Sequence, residues 1–424
     1  LLLARREDES FPVQLFHQER QAIIEGELLF GDFLIQKQLH LDFDDLTPVG
    51  ELVTPSFAPR RFDTSFFVAV APPHQEFEIW KGELDSAGWL TAEEALQLWR
   101  QGTIRISPPS IAMLETICGH PVESLPERFR PVLQRLEDGE LPVIPFAPGV
   151  DLLPLQTVAL PPATITNAYL AGTDETYLID PGAHEPTEQA RLIQVLERLP
   201  ERGRNLKGII LTHHHADHIN AVNVCAQQFQ IPIFAHEKTA KLLLEKIPDI
   251  RHLQEGDRIA LGKRPDGLGD WHLEVLFVPG HASGHLAFFE RHYKFLFAGD
   301  LVSMLSSVII APPDGDLMHY LASIQRIQQM DCRLLLPGHG SPTTRPGPIL
   351  ERCLQHRARR EEELITALSE GPQKVESLVQ VIYPELDSQL VRLAQLQTLA
   401  GLLKLEQEKR VKVLADERYQ LLEL

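Results

Sequence analysis

The sequence lacks any run of about 18 apolar residues, the length a helix needs to cross a bilayer, and so predicts no membrane span. Cysteine is scarce. Cys118, Cys225, Cys332 and Cys353 lie far apart with no CxxC pair, which excludes a disulfide framework and reads as reduced thiols of a cytosolic protein. Positive charge is the minority sign: 40 Lys and Arg against 59 Asp and Glu leave a net charge of −19, which argues against a broad phosphate-tracking surface. No secretory leader is visible, because Leu1-Leu2-Leu3-Ala4-Arg5-Arg6-Glu7-Asp8 turns charged at once. The opening Leu in place of Met predicts a start further upstream. What is present is a globular composition. With 43% hydrophobic residues in 424, the chain can bury two or three cores, and disorder is excluded.

The chemistry concentrates in Leu211-Thr212-His213-His214-His215-Ala216-Asp217-His218. The apolar run Gly208-Ile209-Ile210-Leu211 before it predicts a buried strand, and Ile219 to Ala226 after it opens a helix. His213 and His215 are two apart, so an extended strand end turns both to one side. Asp217 and His218 sit where the chain bends and face the same space from another direction. Two pairs of N/O donors in one small volume suit a pair of divalent ions, zinc first. Chance is a poor account, since only 18 of 424 residues are His and four fall within 213–218.

Three further segments repeat one arrangement: an apolar strand, a Gly, then a donor. They are Val278-Pro279-Gly280-His281, Phe295-Leu296-Phe297-Ala298-Gly299-Asp300 and Leu334-Leu335-Leu336-Pro337-Gly338-His339. Each donor is expected just past its strand, with Gly letting the backbone turn tightly beneath a metal. A hairpin is predicted over 164–170 and 176–180, a helix over Glu188–Leu199, strands over 208–212, 231–235 and 273–278, and a helix over Glu237–Lys246.

In this order the donors resemble the metallo-β-lactamase superfamily over about 180 residues, its HxHxDH signature falling on His213, His215, Asp217 and His218. The resemblance implies an α/β fold, a four-layered αβ/βα sandwich with the site at one edge of two facing sheets. It implies one metal on His213, His215 and His281, a second on Asp217, His218 and His339, and Asp300 bridging both. A metal-bound hydroxide is then the expected nucleophile, with Asp217 also orienting it or accepting its proton. Manganese or iron are the alternatives to zinc. His285, four residues past His281, is the second candidate catalytic residue beside Asp217, expected either to contact substrate or support the site or else to be structural. His214 is expected to point away, and His184 and His236 to be structural.

Residues 1–120 alternate helix and strand patterns: a helix over Gln14–Gln38, strands over Leu46–Pro55 and Phe66–Ala71, and a short helix over Glu93–Arg100. Leu52 through Phe67, then Glu83-Leu84-Asp85-Ser86-Ala87-Gly88-Trp89, then Ile106-Ser107-Pro108-Pro109 resemble the back half of a Nudix hydrolase of the coenzyme A diphosphatase type. That implies a partial Nudix α+β domain. The family's box, a helix whose paired carboxylates hold magnesium, has no match there. Arg359-Arg360-Glu361-Glu362-Glu363 is charged but lies far along the chain. No diphosphatase activity is expected, only a packing or dimerisation module, with Arg60, Arg61 and Asp63 in a buried ion network. Residues 121–154, rich in proline around Leu141 to Gly149, are expected to be an extended linker. The hydrolase domain is then expected over 155–345.

Residues 346–424 predict helices over Ile349–Ser369, Lys374–Tyr383 and Ser388–Leu403, then a hairpin through Val411 and Tyr419: a winged-helix-like unit. Its expected recognition helix, Ser388 to Lys404, carries only Arg392 and Lys404 as basic residues, so duplex DNA is not an expected partner. His356-Arg357 followed by Arg360-Glu361 and this tail resemble the lactamase-beta-2-like group, whose animal members cleave single-stranded RNA. The glyoxalase II group instead binds glutathione through basic residues of a helical domain, which has no counterpart here. Three functions are expected in turn: a phosphodiesterase on single-stranded RNA, a thioesterase-type hydrolase of a small metabolite such as a glutathione or coenzyme A conjugate, and a non-catalytic binding protein. RNA or a small molecule is the expected partner, in the cytoplasm and away from membranes.

Overall fold

The computed structural model describes residues 3–12, 16–55, 58, 60–73, 79 and 86–422. They form two compact units, one of Leu1–Thr54, Arg61–Trp99 and Thr103–Gly139, the other of Pro55–Arg60, Arg100–Gly102 and Glu140–Leu424. No helix among the described residues is long and apolar enough to cross a membrane, and Cys118, Cys225, Cys332 and Cys353 form no disulfide with one another.

The larger unit is built on strands buried on both sides. In Val150–Gln156, Leu152 turns to one face while Leu153 and Leu155 turn to the other. Phe295 and Phe297 alternate with Leu296 and Ala298 in the same way. This period of two explains why the strands read as unbroken apolar runs: each face has its own core. One sheet has seven strands, in the order Ile250–Leu253, Ile233–His236, Asn205–Ile210, Glu175–Ile179, Ile165–Ala171, Val150–Gln156 and Ile144–Ala147. Its first three junctions are parallel and the rest antiparallel. The other sheet has five: Arg258–Lys263, Asp270–Phe277, Leu286–Glu290, Phe295–Ser303 and Leu334–His339, with only the last pair parallel.

Between the sheets lies a core that takes Tyr169, Ile179 and Ile210 from one and Trp271, Phe288 and Leu336 from the other. Outside the seven-stranded sheet pack Leu192 and Leu196 of the helix Pro186–Glu197 and Val222 and Cys225 of the helix Val222–Phe229. Outside the five-stranded sheet pack Tyr320, Ile324 and Ile327 of the helix Leu317–Gln328. Helix, sheet, sheet and helix make the expected four layers.

The 24-residue helix Pro346–Ser369 serves two cores. Leu350 packs with the outer layer of the five-stranded sheet, while Leu364 and Leu368 join a C-terminal cluster with Leu378, Leu402, Leu405 and Tyr419. That cluster holds the helices Val375–Ile382 and Val391–Gln407 and the hairpin Val411–Val413 with Tyr419–Leu421.

Several expectations are corrected. Residues 121–154 are not an extended linker. They hold a 13-residue helix, Leu125–Glu137, and two strands of the large sheet. Pro126 stands in the helix's first turn, where a missing N–H costs nothing. Pro131 is carried inside it because Leu125 and Phe129 bury a full apolar face against Val49 and Met113. Pro145 lies in the sheet's edge strand, where proline is tolerated. The helix expected over Gln14–Gln38 is two, His17–Ile24 and Phe30–Gln36, divided at Gly26 in the left-handed region; Gln14 itself lies outside the described residues. Arg60, Arg61 and Asp63 are exposed, not a buried network, and Arg61 Nε donates to the Thr54 carbonyl at 3.0 Å. The segments quoted at 56, 57, 59 and 83–85 lie outside the described residues.

The inter-sheet core sets a stability test. Phe288 is fully buried and Leu268 is 70% exposed. Phe288→Ala is expected to lower the unfolding free energy by about 3–5 kcal/mol, and Leu268→Ala to stay within about 0.5 kcal/mol, both read from urea titrations.

Candidate metal centre

The strand ends of the two sheets deliver the donors. His213 follows the strand Asn205–Ile210, His215 caps the short helix Ala216–Ile219, and Asp217 and His218 lie inside that helix. His281 stands four residues past the strand Asp270–Phe277, and His339 ends the strand Leu334–His339. Asp300 departs from the expected position beyond its strand: Phe295–Ser303 continues through it. The pairing register breaks on either side of Gly299, whose φ of 49° bends the strand and re-aims Asp300.

The structure brings all seven donors into one cavity, as two overlapping groups. In the first, His213 Nε2 lies 3.0 Å and His281 Nε2 2.9 Å from His215 Nδ1. In the second, His339 Nε2 lies 3.2 Å and His218 Nε2 4.0 Å from Asp217 Oδ2. Asp300 stands between them: Oδ1 is 3.4 Å from His218 Nε2, and Oδ2 is 3.7 Å from His281 Nε2 and 3.4 Å from His339 Nε2.

The ring nitrogens that face the cavity are chosen by what the opposite nitrogens do. His218 Nδ1 donates to Asp180 Oδ2 at 2.9 Å, His281 Nδ1 to the Ile309 carbonyl at 2.7 Å, and His339 Nδ1 to the Ile165 carbonyl at 3.0 Å. Thr212 Oγ1 spends its single proton on Asp180 Oδ2 at 2.6 Å, so His213 Nδ1, 2.9 Å away, is the donor to Thr212. Four imidazoles therefore turn their Nε2 atoms to one space. His215 Nδ1 cannot donate to both its nitrogen neighbours. Nitrogens packed about 3 Å apart with lone pairs converging are what a tetrahedral cation requires, since its ligands at about 2.0 Å stand roughly 3.3 Å from one another. His218 Nε2 and Asp300 Oδ1 are buried without any hydrogen-bond partner, which fits donors reserved for an ion.

Electrostatics divide the cavity. Burial, reinforced by neighbouring imidazoles, pushes His213 well below its usual range and His215 down to about 3, so the first group is neutral and open to a cation. In the second group burial also disfavours charge, but the carboxylates win. Asp300, Asp180 and Asp217 hold His218 well above its usual range, and Asp300 with Asp217 raises His339 to about 10. Burial would raise Asp300, yet His339 and His218 keep it well below the usual carboxylate range. Ions entering the second group must displace protons.

Sequence reasoning missed the supports. Asp180 ends the strand Glu175–Ile179 and takes Thr212 N at 2.8 Å, the Thr212 hydroxyl and His218 Nδ1. Although it approaches His213 and His218 closely, its lone pairs are occupied from behind, so it orients ligands. Its placement before Pro181-Gly182 was the available signal. Asn167 Nδ2 and Tyr169 Oη donate to the Pro337 carbonyl at 3.0 and 2.8 Å and pin the strand that carries His339. Gly338 is required beneath the centre, for a Cβ there would lie 2.5 Å from Asp300 Oδ1.

His285 is fully buried. Its Nε2 accepts the Asp300 amide at 3.1 Å and its ring stacks on His213 at 5.1 Å, so it supports the site from beneath. His214 turns toward Asp314, 3.8 Å away. His236 caps a helix and stacks on Phe277, and His184 pairs with Asn220.

The family profile of the metallo-beta-lactamase superfamily matches residues 161–339, and that of the beta-lactamase associated winged helix domain matches residues 375–418. "Hydroxyacylglutathione hydrolase GloC" of Haemophilus influenzae is 32% identical over 185 residues, 39% of this chain and 81% of that protein. "Probable metallo-hydrolase YqjP" of Bacillus subtilis is 26% identical over 285 residues, 57% of this chain and 88% of that protein. A solved metallo-beta-lactamase family protein of Thermus thermophilus is 25% identical with a TM-score of 0.53, covering 65% of this chain and 99% of its own.

Replacing Asp180 tests the support. Asp180→Ala is expected to weaken binding of an ion to the group of Asp217, His218 and His339 by about 10–100-fold, measured by zinc titration against a chelator of known affinity.

Proposed function

We propose that this chain, which belongs to the metallo-beta-lactamase superfamily and is a metal-dependent hydrolase, cleaves the thioester of a small acyl conjugate. The observation that carries this reading is the surface beside the donors. A cleft of about 270 Å³ is lined by Gln156, Thr157, Val158, Thr164, Ile165, His184 and Glu185, and it reaches the centre through Ile165, whose carbonyl takes His339 Nδ1. It contains no Lys or Arg, so it suits an uncharged acyl group better than a phosphodiester backbone. Two divalent ions, zinc by the imidazole-rich donor set, would lower the pKa of water toward about 7 and polarise the carbonyl under attack.

The chain's own groups do the rest. Asp217, paired with His339 at 3.2 Å, is placed to orient the attacking water and take its proton. Asp300 holds the two donor groups in one register. Attack at the carbonyl carbon breaks the C–S bond and releases a carboxylic acid and a thiol.

Cleavage of single-stranded RNA is the second reading, drawn from the winged-helix match. Against it stand the net charge of −19 and the state of Lys404, which is tied to Glu361 at 2.5 Å and Glu408 at 2.7 Å. Of the basic residues on the helix Val391–Gln407, only Arg392 is left exposed. A non-catalytic role loses support because the relatives are hydrolases by name.

Turnover decides between them. With zinc or manganese, a panel of glutathione and coenzyme A thioesters is expected to turn over with kcat/KM of roughly 10⁴ M⁻¹s⁻¹ or more, and labelled single-stranded RNA to stay intact. Asp217→Asn is expected to lower kcat on the order of 10²–10⁴-fold. RNA cleavage with inert thioesters would reverse the assignment.

A further inference from the structure

The segment after the strand Phe295–Ser303 runs irregularly to Asp316, yet it supplies the acceptor that orients one donor of the metal centre. His281 Nδ1 donates to the Ile309 carbonyl at 2.7 Å. Among the described residues, no backbone-to-backbone hydrogen bond reaches Ser307, Val308, Ile309 or Ile310. Side chains must therefore fix that carbonyl.

They come from the C-terminal helices. Arg357, on Pro346–Ser369, is 7% exposed. Its Nη2 donates to the Val308 carbonyl, one residue from the His281 acceptor, and its Nη1 donates to Gln397 Oε1 at 2.7 Å. Gln397, on Val391–Gln407, turns its Nε2 to the same Val308 carbonyl at 3.3 Å. The guanidinium lies 5.2 Å above the Tyr320 ring. The Tyr320 backbone closes against Gly280, where a Cβ would meet the Tyr320 Cα at 2.3 Å. A buried Arg that ends on a backbone carbonyl, a Gln amide and a ring face has no carboxylate partner among these contacts. Burying a cation this way is costly unless its geometry serves something.

We propose that Arg357 and Gln397 are positioning residues: they clamp Val308–Ile309 and so aim His281, which makes the metal group of His213, His215 and His281 depend on the docked C-terminal helices. This rests on the metal-centre reading above and adds a job for the winged-helix domain that needs no nucleic acid. It predicts an asymmetry. Disturbing the clamp harms the group containing His281 and spares the group of Asp217, His218 and His339, whose supports are Asp180 and Ile165.

The test uses the full chain, stripped of metal and titrated with zinc against a competing chelator. Cobalt(II) absorption assigns each equivalent to the three-imidazole or the carboxylate-containing group. Arg357→Met is expected to weaken the three-imidazole group by about 10–100-fold and the other less than threefold. Arg357→Lys, which keeps one donor, is expected to recover part of the loss, and Gln397→Met to show a smaller loss of the same kind. If Arg357→Met does not fold, Gln397→Met alone decides. Affinity of the three-imidazole group within twofold of wild type in the folded variants overturns the clamp. Equal weakening of both groups, with a lowered melting temperature of the metal-free protein, overturns it as well. Either result leaves the metal centre standing. Failure of the wild-type chain to bind two ions removes the metal centre and the clamp together.

Discussion

Four imidazole protons, each held on Nδ1 by a fixed protein acceptor, decide what this molecule can do. Thr212 Oγ1, Asp180 Oδ2 and the carbonyls of Ile309 and Ile165 take those protons and turn four Nε2 atoms into one cavity. A cavity lined this way is electrostatically unfinished. Its donors crowd within about 3 Å of each other, and two of its buried polar atoms have no partner. Burial makes that arrangement expensive for the bare chain. Cations relieve it, so the binding free energy of the ions adds to the stability of the fold.

The rest of the architecture holds those acceptors still. The acceptors come from four separated places: a strand start at Ile165, a strand end at Asp180, the loop at Thr212 and the irregular segment at Ile309. Two of these lie on the parallel and antiparallel heart of the seven-stranded sheet, while the donors His281, Asp300 and His339 come from the five-stranded sheet. The site thus spans the seam between the sheets. The inter-sheet core of Tyr169, Phe288, Phe297 and Leu336 sets the distance across that seam. Tyr169 joins both tasks, with its ring in the core against Phe297 and its hydroxyl on the Pro337 carbonyl beside the site.

What was legible from residues alone follows from the range of the physics involved. The donors could be picked out because metal chemistry leaves a local mark: closely spaced polar residues at the ends of apolar runs, with Gly directly before His281, Asp300 and His339. The individual strands were legible because doubly buried strands leave apolar runs, whereas the four layers were implied only by the family resemblance of the donor motif. Asn167 and Arg357 leave no such mark, for their roles depend on partners 170 and 49 residues away that only the fold supplies, and Asp180 offers only its place before Pro181-Gly182 because its partner Thr212 lies 32 residues on. Residues 121–154 misled for a related reason. Proline density signals broken structure locally, but Pro126 sits where a helix tolerates it, Pro145 sits on a sheet edge, and the apolar face of Leu125 and Phe129 outweighs Pro131. Arg60, Arg61 and Asp63 misled in the opposite sense, since alternating charges beside a two-stranded hairpin are solvated. His285 was found by its spacing from His281, but only its contact with the Asp300 amide shows that it faces the backbone.

The central claim is that these side chains form two adjoining cation sites joined by one carboxylate. Anomalous diffraction from crystals of the zinc-loaded chain, collected on both sides of the zinc edge, tests it most directly. The account predicts two peaks, one enclosed by His213, His215 and His281 and the other by Asp217, His218 and His339, with Asp300 reaching both. A single peak, or zinc located away from these residues, would contradict it.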